Sequence, residues 1–290
     1  MAMGHKRTSI VVTGANGQVG RCLQKASNAF PGFEFHFLGR EHFPVDNHQL
    51  TRDILNAMAP FVVINTAAYT AVDKAETETE MANSINGYAV GNLARHCATL
   101  GARFLHISTD YVFNGMANRP YTEADATDPI NAYGASKLLG EQLAQKEYKD
   151  TAIVRTSWVY SQYGHNFLKT MLKLMGERDI VKVVNDQYGA PTYAADLAAV
   201  LLNMVCGEQW HAGIFHYSNK GVISWFQFAQ AIRDEGKFDN CTIEPIPTSQ
   251  FPTLAKRPMY SVLDCTKIEK TFGSERRDWR SALHRCMAAH

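Results

Sequence analysis

Three side chains in the middle of the chain have the types and spacing needed to protonate a carbonyl oxygen. Tyr133 and Lys137 are four residues apart at the start of a predicted helix, so they lie on one helical face. A neighbouring ammonium is expected to lower the pKa of the phenol from its ordinary value of about 10, which lets it exchange a proton near neutral pH. Thr109 ends a predicted strand, where its hydroxyl could hold the same oxygen. Each feature alone also fits a plainer explanation, because this Tyr–Lys spacing arises by chance on many helices and a strand-end threonine is commonly structural.

A glycine-rich turn near the start of the chain predicts a dinucleotide site. Three glycines spaced three residues apart follow the first predicted strand and open the first predicted helix. The first permits the tight turn, the second lets the backbone approach a pyrophosphate, and the third lets the helix pack against the sheet. The helix N-terminus then offers free N–H groups and the positive end of its dipole to the phosphates. The cofactor-binding residues predicted in this turn are Gly14, Asn16, Gly17, Gln18, Val19 and Gly20.

The second predicted strand indicates which dinucleotide binds. Folds that use NAD place a carboxylate about 20 residues beyond the glycine turn, where it accepts the ribose 2′-hydroxyl. Gly39 stands at that place and Arg40 follows it. A carboxylate would repel a 2′-phosphate, whereas a guanidinium would bind it. We therefore expect NADPH as the preferred cofactor, with NADH as a weaker alternative, and with Glu41 as a competing candidate for the ribose contact.

The order of predicted elements supplies a scaffold for both sites. Short apolar runs at 9–13, 34–38, 61–65, 103–108, 151–155 and 213–217 alternate with helical patterns at 18–29, 81–100 and 137–147. This order predicts an α/β fold with a Rossmann-type doubly wound parallel sheet. Beyond about residue 165 the alternation weakens, and four prolines interrupt the tail from residue 241. We expect a dinucleotide-binding domain from residues 1–165 with a returning segment at about 193–220. Residues 166–192 and 221–290 are expected to form a smaller, discontinuous C-terminal substrate domain.

Composition excludes several classes of protein. The chain has 290 residues, of which 46% are hydrophobic, and a formal net charge of +1. These values predict a globular protein that needs neither nucleic acid nor a membrane as partner. Six scattered cysteines without a Cys-x-x-Cys pair fit reduced thiols and a cytoplasmic location. No secretory signal is evident in the first residues, so export is not expected; whether Met1–His5 is native, and whether the chain forms a homodimer, stay open.

Several linked segments resemble the extended short-chain dehydrogenase/reductase family. Beside the glycine turn and the Thr109, Tyr133 and Lys137 set, the segments 65–76, 108–113, 155–160 and 185–192 are similar to the subfamily of dTDP-4-dehydrorhamnose reductases. The resemblance spans the whole chain. It implies reduction of a 4-keto sugar nucleotide, the last step of dTDP-L-rhamnose synthesis, with a sugar nucleotide as the substrate partner.

The resemblance also implies roles for individual residues. Thr109, Tyr133 and Lys137 match the catalytic set, and Lys137 matches the residue that holds the nicotinamide ribose. Asn86 matches an asparagine that supports the lysine. Further cofactor contacts are implied for Asn65, Ala67, Ala68 and Tyr69. Arg40, from the end of the second strand, and Asp46 are also predicted to contact the cofactor. Substrate contacts are implied for Val72, Asp73, Thr109, Tyr111, Trp158 and Arg257, although Trp158 also fits a core aromatic and Arg257 a solvated surface charge.

Some members of the subfamily hold magnesium between subunits through glutamates, one of them just after the glycine turn. Arg21 and Cys22 stand there instead, so we expect no such metal site, and no His or Cys cluster has zinc spacing. Two other functions stay open on the sequence. One is a sugar-nucleotide epimerase or dehydratase of the same fold, although no additional acid or base follows Ser108 in place of the Thr-Asp pair. The other is a non-catalytic regulatory subunit like the beta subunit of methionine adenosyltransferase, because that scaffold can retain the catalytic residues.

Overall fold

The computed structural model describes residues 8–289, so Met1–His5 lie outside the described part of the chain. The strands are β1 (Thr8–Thr13), β2 (Phe33–Leu38), β3 (Val62–Asn65), β4 (Arg103–Thr109), β5 (Thr151–Thr156), β6 (Val159–Tyr160), β7 (Ile180–Val184), β8 (Tyr188–Gly189), β9 (Thr192–Tyr193), β10 (Gly213–Tyr217), β11 (Ile223–Ser224) and β12 (Thr242–Ile246). The helices are α1 (Gln18–Ala26), α2 (His48–Met58), α3 (Thr79–Asn83), α4 (Ala89–Leu100), α5 (Ala132–Glu147), α6 (Phe167–Glu177), α7 (Ala194–Cys206), α8 (Trp225–Gly236), α9 (Thr266–Phe272) and α10 (Trp279–Ala288).

A six-stranded parallel sheet carries the fold, in the order β10-β5-β4-β3-β1-β2. The predicted Rossmann-type α/β class is therefore confirmed. From β1 the chain first adds β2 on one side and then β3 on the other. This reversal separates the loops that leave β1 and β3, and it opens a crevice at the carboxyl ends of the strands.

Both faces of the sheet are covered, which explains why its strands read as continuous apolar runs. Ile10, Val11 and Val12 are all fully buried. Val12 packs in the core that contains Leu23 of α1 and Leu197 of α7, whereas Val11 packs in the core that contains Leu93 of α4. Neighbouring residues of one strand thus pack against the helices on opposite faces of the sheet.

The later part of the chain builds a second core from α6, α8, α10 and β7, which includes Leu168, Phe228 and Leu283. This part is more regular than the proline content of the tail suggests, because all the tail prolines lie before residue 259 and α9 and α10 follow them. β10, at 213–217, lies at the edge of the large sheet. The exact division into two domains stays a prediction.

The long helix expected over residues 81–100 is interrupted. The five residues Ser84–Tyr88 form a π-helical turn between α3 and α4. Such turns are rare and often occur at functional sites, and this one turns Asn86 towards α5. Among the described residues, no helix combines the length and the apolar character needed to cross a bilayer.

Helix α5 is fixed to the sheet by a buried ion pair. Glu141 and Arg155 of β5 form a two-pronged contact, with Arg155 Nη2 2.7 Å and Nε 2.9 Å from the carboxylate oxygens. Ser108 of β4 donates a further hydrogen bond to the same carboxylate. The side chains of Arg155 and Glu141 are only 3% and 2% exposed, so removal of one partner would leave a desolvated charge.

Replacement of this carboxylate should destabilise the protein strongly. Glu141→Gln is expected to lower the free energy of unfolding by about 3–5 kcal/mol, because Arg155 stays buried without its counter-charge. Glu147→Gln is the matched control on the same helix, since its partner Arg95 is 57% exposed and solvent screens that pair. Urea unfolding of both variants measures the difference. Equal losses of unfolding free energy in the two variants would contradict the conclusion that the buried pair of Glu141 and Arg155 stabilises the fold.

Candidate active site

A cleft of about 720 Å³ opens at the carboxyl ends of the sheet strands. Most residues predicted for the cofactor and the chemistry line it: Gly14, Asn16, Gly17, Gln18, Val19, Arg40, Asp46, Ala67, Ala68, Val72, Thr109, Tyr133, Lys137 and Trp158. Six predicted residues do not form its lining: Gly20, Asn65, Tyr69, Asp73, Tyr111 and Arg257. These six residues contact the segments that form the cleft or lie beside its opening.

The glycine turn has no room for side chains. Gly14 has φ +67°, and a Cβ there would lie 2.6 Å from the backbone nitrogen of Ala67. A Cβ on Gly20 would lie 2.5 Å from the carbonyl oxygen of Gly14, so this glycine lets α1 start close beneath the turn. Gly17 is the N-cap of α1 and no side chain caps the helix. The first N–H groups of α1 therefore face the cleft without a side-chain acceptor, as an anion-binding turn requires.

Gln18, at the first turn of α1, joins the glycine turn to the segment after β6. Its Oε1 accepts hydrogen bonds from Ser161 Oγ and Asn166 Nδ2, each at 2.9 Å. This polar contact brings Gly164, His165 and Asn166 into the cleft wall. No motif in the sequence marks these three residues, although they follow a strand end.

Arg40 and Glu41 lie at the outer end of the cleft. Arg40 is exposed and lines the cleft. Asn16 Nδ2 donates to both oxygens of Glu41, at 3.2 and 3.3 Å. A Cβ on Gly39 would meet the Glu41 carboxylate at 2.4 Å, so the glycine permits this arrangement. The carboxylate thus contacts the glycine turn while the guanidinium stays free for a second ligand.

Tyr133 and Thr109 meet at the inner end of the cleft. Burial raises the pKa of Tyr133 to about 12, and a hydrogen bond with the Thr109 side chain partly offsets the rise. Tyr111 packs edge-on against Tyr133, with ring centroids 5.9 Å apart. The phenol is therefore fully protonated at neutral pH, which suits a proton donor in a reduction.

The expectation that the pKa of Tyr133 lies below its ordinary value is wrong for this structure, because burial raises it. Lys137 Nζ donates a hydrogen bond to the Ile107 carbonyl at 2.6 Å. Its second contact is His106 Nε2 at 3.2 Å. Burial lowers the pKa of Lys137 itself to about 8. Desolvation of the phenol, rather than a neighbouring cation, dominates the shift at Tyr133.

Two asparagines that do not line the cleft, Asn65 and Asn86, hold the segments that form its wall. Asn86 Nδ2 donates to Ser136 Oγ at 3.0 Å and to the Tyr69 carbonyl at 2.9 Å, so it joins α5 to the loop after β3. The support of Lys137 that the resemblance implied for Asn86 stays a prediction. Tyr69 is held at both backbone atoms by Asn86. Asn65 is buried and contacts Thr13 and the backbone of Ala67.

Trp158 forms one wall of the cleft and is not a simple core residue. It has φ +47°, which is unusual for a tryptophan. Its ring stacks on Trp225 with centroids 3.5 Å apart, and a Cβ on Gly189 would strike the ring at 2.5 Å. A rigid aromatic face is thus held in the cleft.

Asp73 and Arg257 join the loop after β3 to the late segment of the chain. Arg257 Nη1 and Nη2 each lie 2.7 Å from a carboxylate oxygen of Asp73. The guanidinium holds the pKa of Asp73 below its ordinary value. The Tyr111 hydroxyl interacts with the same guanidinium. These three predicted substrate residues therefore form one cluster beside the cleft.

Sequence reasoning missed several further cleft residues, one of them with a titratable side chain. The apolar positions Phe43, Val45, Ile85 and Ile107 line the cleft, and nothing in their type marks them. Asp110 is 2% exposed, and burial raises its pKa to about 7; its place directly after Thr109 at a strand end was an available signal. Within residues 8–289 no cluster of three His, Cys, Asp or Glu residues is placed to hold a metal ion.

Comparison with known proteins agrees with this geometry. Residues 8–290 match the family described as RmlD substrate binding domain. A dTDP-4-dehydrorhamnose reductase of Aggregatibacter actinomycetemcomitans is 41% identical, covering 94% of this chain and 96% of the relative. The crystal structure of a dTDP-4-dehydrorhamnose reductase from Clostridium acetobutylicum superposes with a TM-score of 0.93 at 40% identity, covering 97% of this chain and 99% of the other.

A second solved structure was determined with a bound ligand. The Bacillus anthracis dTDP-4-dehydrorhamnose reductase in complex with NADP has a TM-score of 0.93 and 35% identity, covering 98% of this chain and 100% of that one. The fold, the cleft and these relatives all lead to one assignment: the chain belongs to the RmlD substrate binding domain family, the family of the dTDP-4-dehydrorhamnose reductases.

Proposed function

We propose that this protein uses NADPH to reduce dTDP-4-dehydro-L-rhamnose to dTDP-L-rhamnose, the last step of dTDP-rhamnose synthesis. The observation that carries the proposal is a cleft in which the glycine turn before α1 and a protonated tyrosine lie together. Relatives named for this reaction match the chain over nearly its whole length. A biosynthetic role of this kind fits the proposed cytoplasmic location, and the six free cysteines agree with it.

The glycine turn fits a dinucleotide. The uncapped N-terminus of α1 and the close approach allowed by Gly14 and Gly17 would hold the pyrophosphate. Arg40 would contact the 2′-phosphate, and Lys137 the nicotinamide ribose. Bound in this way, the reduced nicotinamide supplies a hydride to the C4 carbon of the sugar.

The chain's own residues supply the proton. As the carbonyl carbon gains the hydride, negative charge grows on O4. Tyr133 transfers its phenolic proton to this oxygen, and Thr109 donates a hydrogen bond to it. The alkoxide is more basic than the phenolate, so transfer from a phenol whose pKa is about 12 is favourable. An ammonium on Lys137 stabilises the phenolate that remains.

The sugar nucleotide would occupy the side of the cleft near Trp158 and Val72, with the cluster of Asp73, Tyr111 and Arg257 next to it. The Trp158 face offers an apolar surface to a 6-deoxy sugar. Arg257 offers a planar fork to a diphosphate, if the ligand displaces or shares its contact with Asp73. The proposal also includes the division of the chain into two domains and the formation of a homodimer.

Loss of the Tyr133 phenol should remove the general acid. Tyr133→Phe is expected to lower kcat roughly 10²–10⁴-fold, the usual range for one positioned acid. NADPH consumption with dTDP-4-dehydro-L-rhamnose measures this effect. Tyr148→Phe, directly after the end of the same helix, is the control and should keep wild-type turnover. Near-normal turnover by Tyr133→Phe would remove this residue from the mechanism, and a wild type inactive with every 4-keto sugar nucleotide would contradict the proposed function.

Cofactor preference should depend on Arg40. A charge-assisted contact of about 1.5–3 kcal/mol predicts that Arg40→Ala lowers kcat/KM for NADPH by roughly one to two decades and leaves the value for NADH almost unchanged. Arg52→Ala on α2, also exposed and outside the cleft, is the matched control. Equal losses with both cofactors, or a wild type that prefers NADH, would show that Arg40 does not bind the 2′-phosphate.

Arg257 should act on the sugar nucleotide and not on the cofactor. Arg257→Ala is expected to raise KM for the sugar nucleotide and to leave KM for NADPH nearly unchanged. The reason is that the Arg257 side chain binds Asp73 and does not line the cleft in which the glycine turn lies. Lys256→Ala, an exposed neighbour, is the control. A rise in the cofactor KM alone would assign Arg257 to the wrong ligand.

A further inference from the structure

A row of buried polar side chains crosses the sheet beneath the active site. Thr13, Asn65 and His106 are register partners on the adjacent strands β1, β3 and β4, so their side chains point to the same face. All three are at most 1% exposed. Thr13 Oγ1 donates to Asn65 Oδ1 at 2.6 Å, and Asn65 Nδ2 lies 3.0 Å from His106 Nδ1. The row ends at Lys137, with His106 Nε2 3.2 Å from Nζ.

The hydrogen bonds of Asn65 fix the tautomer of His106. Asn65 Oδ1 accepts from Thr13 Oγ1 and from the backbone N–H of Ala67, the latter at 3.3 Å. The amide therefore turns its NH2 group towards His106, and Nδ1 of the ring must accept. Burial lowers the pKa of His106 well below its ordinary value, so the ring is neutral. A neutral imidazole that accepts at Nδ1 carries its proton on Nε2.

This tautomer constrains the lysine. The Nε2–H group of His106 points at Lys137 Nζ, and it needs a lone pair there. An ammonium has three N–H donors and no lone pair, so it would face another donor across 3.2 Å. A neutral amine satisfies both contacts, because it accepts from His106 and donates to the Ile107 carbonyl at 2.6 Å.

We propose that His106 is a positioning residue that stabilises the amine form of Lys137 by donating a hydrogen bond from Nε2 to Nζ. The reduction leaves a phenolate on Tyr133 that an ammonium stabilises, so His106 works against the form that the reaction uses. It thereby sets the alkaline pH at which reduction declines. For its kinetic consequence this inference rests on the proposed reductase function.

Other groups also act on Lys137. On its own helix, Glu141 favours the ammonium, although Arg155 and Ser108 bind that carboxylate. Asp110 lines the same cleft, and burial raises its pKa to about 7, so any effect of its titration is expected on the acidic side of the Lys137 transition. Further titratable or charged groups lie along the same helix: Tyr133 on α5 itself, Tyr111 packed against Tyr133, Glu76 at its first residue, and Arg95 and His96 on α4, of which Arg95 binds Glu147 at the last residue of α5. The effect of His106 is separable because it concerns the alkaline side.

The kinetic test uses His106→Gln. A glutamine amide can turn its oxygen towards the ammonium, so it no longer favours the amine. In wild type, kcat/KM for ketone reduction should fall as the pH rises through the Lys137 pKa of about 8. In His106→Gln this decline should move upward by about one pH unit, the shift expected for loss of one neutral hydrogen bond. His96→Gln, a half-buried histidine on α4, should leave the profile unchanged.

A purely structural role would lower kcat/KM equally at every pH and leave the decline in place; that result, or a downward shift, would overturn the inference. A second measurement needs neither a variant nor a substrate. Nitrogen-15 NMR of the full wild-type chain, labelled at histidine and lysine, should show His106 protonated only at Nε2 between about pH 6 and pH 9. Lys137 Nζ should titrate within this range. A proton on Nδ1 of His106, or a Lys137 that titrates at an ordinary lysine pKa, would refute the proposal even if the enzyme assay failed.

Discussion

The active site depends on how α5 is fixed to the sheet by two rows of buried polar side chains. One row is Thr13, Asn65 and His106, and it ends at Lys137. The other is Ser108, Arg155 and His216, register partners on β4, β5 and β10, and it ends at Glu141. Lys137 and Glu141 are one helical turn apart on the same face of α5, as His106 and Ser108 are two residues apart on one face of β4.

The buried polar rows position α5 on the sheet but add less to the stability of the fold than apolar packing would. Apolar side chains at the same sites would bury with less desolvation, since a buried ion pair often contributes little net stability. They would also let α5 slide or rotate on the sheet. The polar rows allow only one placement that satisfies every donor and acceptor. Small residues complete it, because a Cβ on Gly140 would lie 2.1 Å from the Asn86 carbonyl, so α5 and the π-helical turn approach at backbone distance. Tyr133, one turn before Lys137, is thereby aimed into the cleft.

The features of the site that depend on residues close together in the chain could be predicted from the sequence. The glycine turn between β1 and α1 and the parallel strands as apolar runs were predicted and agree with the fold. The interactions that join distant segments could not be read. His106 and Lys137 are far apart in sequence, and a histidine in an apolar strand looks like a core residue until the register across β1, β3 and β4 is known. For the same reason the proximity of Tyr133 and Lys137 on one helix suggested a lowered pKa of the phenol, whereas burial dominates that pKa and raises it.

The contacts that join the two sides of the cleft are more exposed to solvent than the buried polar rows beneath α5. This difference affects how a ligand can bind. Gln18 contacts the segment after β6 through an uncharged amide, while Asp73 and Arg257 form an ion pair that is partly solvated, with 43% and 19% exposure. Solvent-accessible pairs contribute little to stability and exchange partners readily, in contrast to the fully buried pair of Glu141 and Arg155. The chain therefore keeps its rigid contacts beneath the reacting atoms and its exchangeable ones at the rim. The separation is incomplete, because the carbonyl of Lys256, next to Arg257, accepts a hydrogen bond from Asn131 at the N-cap of α5, so a diphosphate that binds the Arg257 fork lies one residue from a contact that holds the catalytic helix.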